Sequence, residues 1–189
     1  QATGSFFLAV PLGIVATALL GMVLEAVVLR GLYRRDHLSQ VLATFALILI
    51  ANETTRAIWG VQPLSLNVPQ VLSGSVQLLP GLGYSAFRLA IIATGLAVAA
   101  LLYVVVTRTR IGMLVRTGAS NRQMATAMGT NIKWLFTAVF GAGAALCALA
   151  GAMLGPLLAV QVGMGENILI LAFVTVVIGG IGSIRGAFV

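Results

Sequence analysis

The sequence predicts an all-α fold, a polytopic transmembrane helical bundle with about five spans. Three observations predict it. Hydrophobic residues make up 60% of the chain and charged residues 8%, against about 25% charged in soluble domains. Apolar runs recur at close to the roughly 20 residues that a helix needs to cross hydrocarbon. The formal charge of +7 is carried mainly by two of the connecting segments, as the cytoplasmic bias of Lys and Arg dictates. Basic charge set beside apolar runs in this way also argues against nucleic acid as its partner.

The first span runs over Ser5–Leu29, broken by Pro11 and Gly13, and is too long for the apolar core of a signal peptide. The connection Arg30–Gln40 follows, with Arg30, Arg34 and Arg35. The second span covers about Val41–Gly60. A segment rich in Pro, Gly, Ser and Asn then occupies 61–85 without any Lys or Arg, and either folds back on the membrane surface or forms a short hairpin. The third span covers about Ala86–Val106, and the basic segment 107–134 comes next. The fourth span covers about Leu135–Val160. The turn Gln161–Asn167 leads to a shorter apolar segment, Ile168–Ile178, which ends in glycine-broken sequence. Eight of the eleven Lys and Arg residues lie in Arg30–Gln40 and 107–134, so these two segments are expected in the cytoplasm and 61–85 outside.

The segment Thr107–Trp134 holds the most information. Ser120 and Gln123 have the spacing of a capping box, in which hydroxyl and amide satisfy orphan N–H groups at a helix start. Gly129 suits a left-handed helix end. Between them Met124, Ala127 and Met128 share one face, with adaptable thioether side chains. A short cytoplasmic helix with a small apolar face suggests docking to a separate partner. The bland alternative is a helix lying on lipid.

Other polar positions are few. Asn52, Glu53, Thr54, Thr55 and Arg56 interrupt the second span. Ionisable groups there line a pathway or pair locally, and Glu53 and Arg56 are three apart on one helix face. Glu25 either snorkels or pairs with a loop arginine. Gly143, Cys147, Gly151 and Gly155 form a ridge of small residues suited to close helix packing. Gly179, Gly180 and Gly182 mark a hinge, a re-entrant turn or a tight corner. Cys147 is the sole cysteine and His37 the sole histidine, so neither a disulfide nor a metal-type Cys/His set can form within the chain. No catalytic set, cofactor motif or phosphate loop can be assembled; Lys133, the one lysine, is followed by Trp134.

Three stretches carry a resemblance. LEAVVLR (Leu24–Arg30) is similar to a segment that ends a span of the LivH-type permeases of branched-chain amino acid ABC importers. RTRIGMLVRTGASNRQMATAMGTNI (Arg108–Ile132) resembles their R-x-G-x-x-x-R-A loop and coupling segment, with Arg110, Gly112, Arg116, Ala125 and Gly129 matching. GMGENILILAFVTVVIGGIGSIRGAFV (Gly163–Val189) resembles their closing glycine-rich motif. The chain departs from the family at Ser120–Gln123, where an acidic residue is common, and at Arg185, where proline is frequent.

The resemblance implies a single permease domain over 1–189, an internal piece of a longer chain, in the bacterial inner membrane. It implies as partners two ABC ATPase subunits, a second permease subunit and a periplasmic binding protein, with ATP hydrolysed on the partners. Ser120, Gln123, Met124, Ala125, Ala127, Met128 and Gly129 would then couple to the ATPases. Urea or short amides are the alternative cargo. A passive channel or secondary transporter is a different class; it would need its own polar pathway, for which Asn52–Arg56 is the nearest candidate.

Overall fold

The computed structural model describes residues 6–33, 35–65, 74–79, 82–120, 122–127, 129 and 131–179. Its helices are α1 (Phe6–Leu24), α2 (Arg30–Leu32), α3 (His37–Trp59), α4 (Ala86–Arg108), α5 (Arg110–Ser120), α6 (Arg122–Ala127), α7 (Ile132–Leu158) and α8 (Met164–Gly179). A π-helical turn, Glu25–Leu29, joins α1 to α2 without a break. Four helical stretches are long and apolar enough to cross a membrane: Leu8–Leu32, Leu38–Trp59, Ala86–Arg108 and Ile132–Leu158. The apolar helix α8 has 16 residues, which gives about 24 Å at 1.5 Å per residue, short of the roughly 30 Å hydrocarbon core. The all-α bundle is therefore the architecture, and the chain is a multi-pass membrane protein.

Burial follows from that solvent. Among the described residues Phe87 and Ala125 are the buried hydrophobics, while Leu, Ile, Val and Phe side chains along every span are exposed. A water-soluble fold would hide such surface; here lipid or neighbouring subunits must cover it.

One exception to the helical rule is a hairpin. Strands β1 (Ser75–Leu79) and β2 (Leu82–Ser85) pair antiparallel, with Ser75 opposite Ser85 and Val76 opposite Tyr84. The Ala86 N–H donates to the Gly74 carbonyl at 3.0 Å, so the hairpin runs directly into the start of α4. Of the two forms open to the 61–85 segment, the described part takes the hairpin.

Two compact units emerge. The first holds α1, the π turn, the hairpin and α4 to α7; the second holds α3 and α8. In the second unit, Leu64 and Val160 exchange backbone hydrogen bonds of 2.9 and 2.8 Å, pairing the segment after α3 with the segment before α8.

Candidate functional site

The basic segment is more helical than its sequence suggests. Where a loop was expected after the third span, α5 fills Arg110–Ser120. Ile111, Leu114, Val115 and Gly118 recur at helical spacing, which gives α5 an apolar stripe beside its arginines. Its start is Thr109, extended at φ −104° and ψ 158°. The Thr109 hydroxyl accepts from the Gly112 N–H at 3.3 Å and donates to the Val105 carbonyl at 2.5 Å. Thr109 is therefore the N-cap of α5 while also closing α4. No Glu or Gln stands three residues on, so the capping-box signature is missing and the cap is silent in the sequence.

Gly112 makes this corner close. A Cβ at Gly112 would collide with the carbonyl of Val106 and lie 2.6 Å from its Cα. Gly118 likewise sits near Leu135, at 3.3 Å from a notional Cβ to Cδ2. The glycines let α5 turn back tightly at the foot of α4 and lie against the start of α7.

Beyond α5 comes the short α6. Ala125 is 3% exposed, and Ala127 is exposed. Gly129 has φ +81° and its N–H donates to the Thr126 carbonyl at 3.0 Å. Ser120 is the last residue of α5, so α5 already runs where the capping-box reading starts a helix. The side chains of Ser120, Gln123 and Met124, and the whole of Met128, lie outside the described residues. Asn131 caps α7: its Oδ1 accepts from the Trp134 N–H at 3.4 Å. Lys133 and Trp134 are exposed.

The polar stretch of α3 is satisfied partly within the helix and partly from α8. Arg56 Nη1 lies 3.2 Å from Glu53 Oε1, an exposed i,i+3 pair. Thr54 and Thr55 donate to the carbonyls of Ile50 and Ala51. Asn52 Nδ2 donates to Glu166 Oε1 at 2.7 Å, which ties α3 to α8. Glu166 carried no sequence signal, because its partner is more than a hundred residues away. Glu166→Ala should leave this amide without an acceptor and cost about 1–2 kcal/mol of the second unit's stability. Hydrogen exchange at the start of α8 would check it, with Glu166→Gln expected to retain most of the protection.

The small residues divide. Gly143 and Gly151 have nothing within 4 Å of a notional Cβ. Gly155 is buried, and Gly179 ends α8. Close contact between α1 and α7 is instead made by Gly21, whose Cβ would stand 2.6 Å from Ala144 Cβ, and by Gly141, whose Cβ would stand 2.5 Å from Met22 Cγ. Gly180 and Gly182 lie outside the described residues.

At the start of α3, the Ser39 hydroxyl donates to Asp36 Oδ1 at 2.8 Å. That bond holds the Asp36 carboxyl below the usual carboxylate range. Among the described residues no three His, Cys, Asp or Glu side chains stand together as a metal site would need.

A family model described as the permease component of branched-chain amino acid transport systems matches residues 1–189. No curated protein and no solved structure matches the chain.

Proposed function

The chain belongs to the branched-chain amino acid transport permease family, and on that premise we propose that it is the membrane-spanning subunit of an ATP-driven importer. In this reading two separate ATPase subunits dock on the basic segment 107–134. A second permease subunit completes the pathway, and a periplasmic binding protein delivers branched-chain or related amino acids in the bacterial inner membrane. Transport proceeds by alternating access.

The observation that carries the reading is the family match over the whole chain. The arrangement of α5 and α6 supports it. A protruding element can transmit force only if it is stiff and anchored at both ends. Thr109 and Gly112 anchor the side toward α4, and Asn131 and Gly118 the side toward α7. The α6 segment between them presents exposed Ala127 and buries Ala125. We assign the contact with the ATPases to the exposed side of α6, and the positive charge of Arg110, Arg116 and Lys133 keeps this segment on the cytoplasmic side.

Ala127→Glu tests the assignment, because an exposed alanine tolerates a charge in the free chain but a docked one does not. The variant should insert and melt like wild type, yet bind the ATPase subunits about ten-fold more weakly and lose ATP-driven leucine uptake in vesicles. Gly129→Val should also insert and lose uptake, but through the backbone and with a lowered melting temperature, since a β-branched residue at positive φ costs about 1–2 kcal/mol. Undiminished uptake in both variants would remove α6 as the coupling element.

A further inference from the structure

Glu25 is the one carboxylate buried among the described residues, at 1% exposure. It sits within the first membrane-spanning stretch, where an unpaired charge is costly. Its partners come from two directions. Arg30 Nη2 approaches Glu25 Oε2 at 3.4 Å. Thr137 of α7 brings its hydroxyl oxygen to 2.5 Å from the same carboxylate oxygen. Arg30 Nη2 also donates to Thr137 Oγ1 at 2.9 Å.

The π turn explains why these groups meet. In an α-helix, residues five apart are rotated by about 140°, on different faces. Over Glu25–Leu29 the backbone bonds run five residues, and the Arg30 N–H donates to the Glu25 carbonyl. That bonding brings residue i+5 back over residue i. The widened turn therefore stacks Arg30 over Glu25 and aims both at α7.

Thr137 has two competing uses. Its hydroxyl carries one proton, and two acceptors lie in reach: Glu25 Oε2 at 2.5 Å and the Lys133 carbonyl at 2.9 Å. A bond to a carboxylate is roughly twice as strong as one to a neutral carbonyl, so the proton goes to Glu25. If the π turn moves along the helix and carries Glu25 away, the hydroxyl falls back on Lys133 without loss of satisfaction. Thr137 therefore keeps an acceptor whether Glu25 is in contact or withdrawn.

Its place in the chain gives it work. Thr137 lies five residues into α7, about 8 Å from a helix start that comes five positions after the end of α6. We propose that Glu25, with Arg30 and Thr137, is a positioning cluster of the transport cycle: it clasps α1 to the foot of α7, so that displacement arriving through α6 is passed to α1. The inference rests on the importer reading, in which α6 receives that displacement.

The test uses the complete complex in vesicles and reads three quantities: ATPase subunits retained, ATP hydrolysed, and leucine carried per ATP. Glu25→Gln keeps the shape and removes the charge that decides the contest for the proton. Thr137→Val keeps the shape and removes the hydroxyl. Both should retain the ATPase subunits and hydrolysis, and carry about ten-fold less leucine per ATP. Thr137→Ser should restore wild-type coupling, and the Glu25→Gln/Thr137→Val double variant should be no worse than the poorer single. Unchanged coupling in both singles, or equal damage from Ser and Val at 137, overturns the cluster while leaving the importer intact. Should Glu25→Gln fail to assemble, the Val and Ser variants at 137 still decide the matter. A wild-type chain that retains no ATPase subunits overturns the importer reading itself, and the cluster's role with it.

Discussion

Gly112→Ala is expected to destabilise the first unit by about 3 kcal/mol, at the upper end of what overpacking costs. The added methyl has nowhere to go, because its neighbours are backbone atoms of Val106 and not a side chain that could rotate away. Relief requires α5 to lift off α4. That movement also breaks the bond from the Gly112 N–H to the Thr109 hydroxyl, and so uncaps α5. The loss should appear as a lowered melting temperature in detergent and as proteolysis within 107–134. Gly95→Ala is the control: it lies in α4 with nothing within 4 Å, and it should stabilise by about 1 kcal/mol through helix propensity. Equal behaviour of the two variants would show that the corner is not closed in the way described.

Gly21→Ala is the second large effect. Its methyl would stand 2.6 Å from Ala144 Cβ, an atom fixed to the backbone of α7. The two helices must part, at a cost of about 1–3 kcal/mol. The compensating double change, Gly21→Ala with Ala144→Gly, moves the methyl from one helix to the other and should recover most of that loss. Gly143→Ala, on the same helix as Ala144 but in open space, should be neutral or stabilising. Such a cycle separates contact from propensity, because only the contact is relieved by the swap.

These two positions show what the amino-acid pattern carries and what it does not. Each of the four long helices was legible, since a long apolar run with few charges is a one-dimensional signal. The hairpin before α4 was legible as one of two forms. A glycine ridge was legible too, but spacing along a helix does not say which side another helix will approach. Gly143 and Gly151 share the four-residue period, whereas the contact to α1 falls on Gly141 and Ala144. The α5 cap was hidden because Thr109 works without a reciprocal Glu or Gln. That Glu25 pairs with a loop arginine was legible as one of two readings, and the pair with Arg30 is the one formed; which arginine it takes depends on a π turn, whose five-residue bonding has no accepted sequence signature. Asn52 stood out as polar within a span, but its partner Glu166 could be found only in three dimensions.

The pairing of Leu64 with Val160 has a mechanical consequence. Together with the bond from Asn52 to Glu166, it fastens the last turns of α3 to the beginning of α8. Sliding of one helix along the other would break both fastenings, whereas rotation about them breaks neither. A pair joined this way is expected to open like the arms of tweezers, with freedom that grows with distance from the riveted extremity.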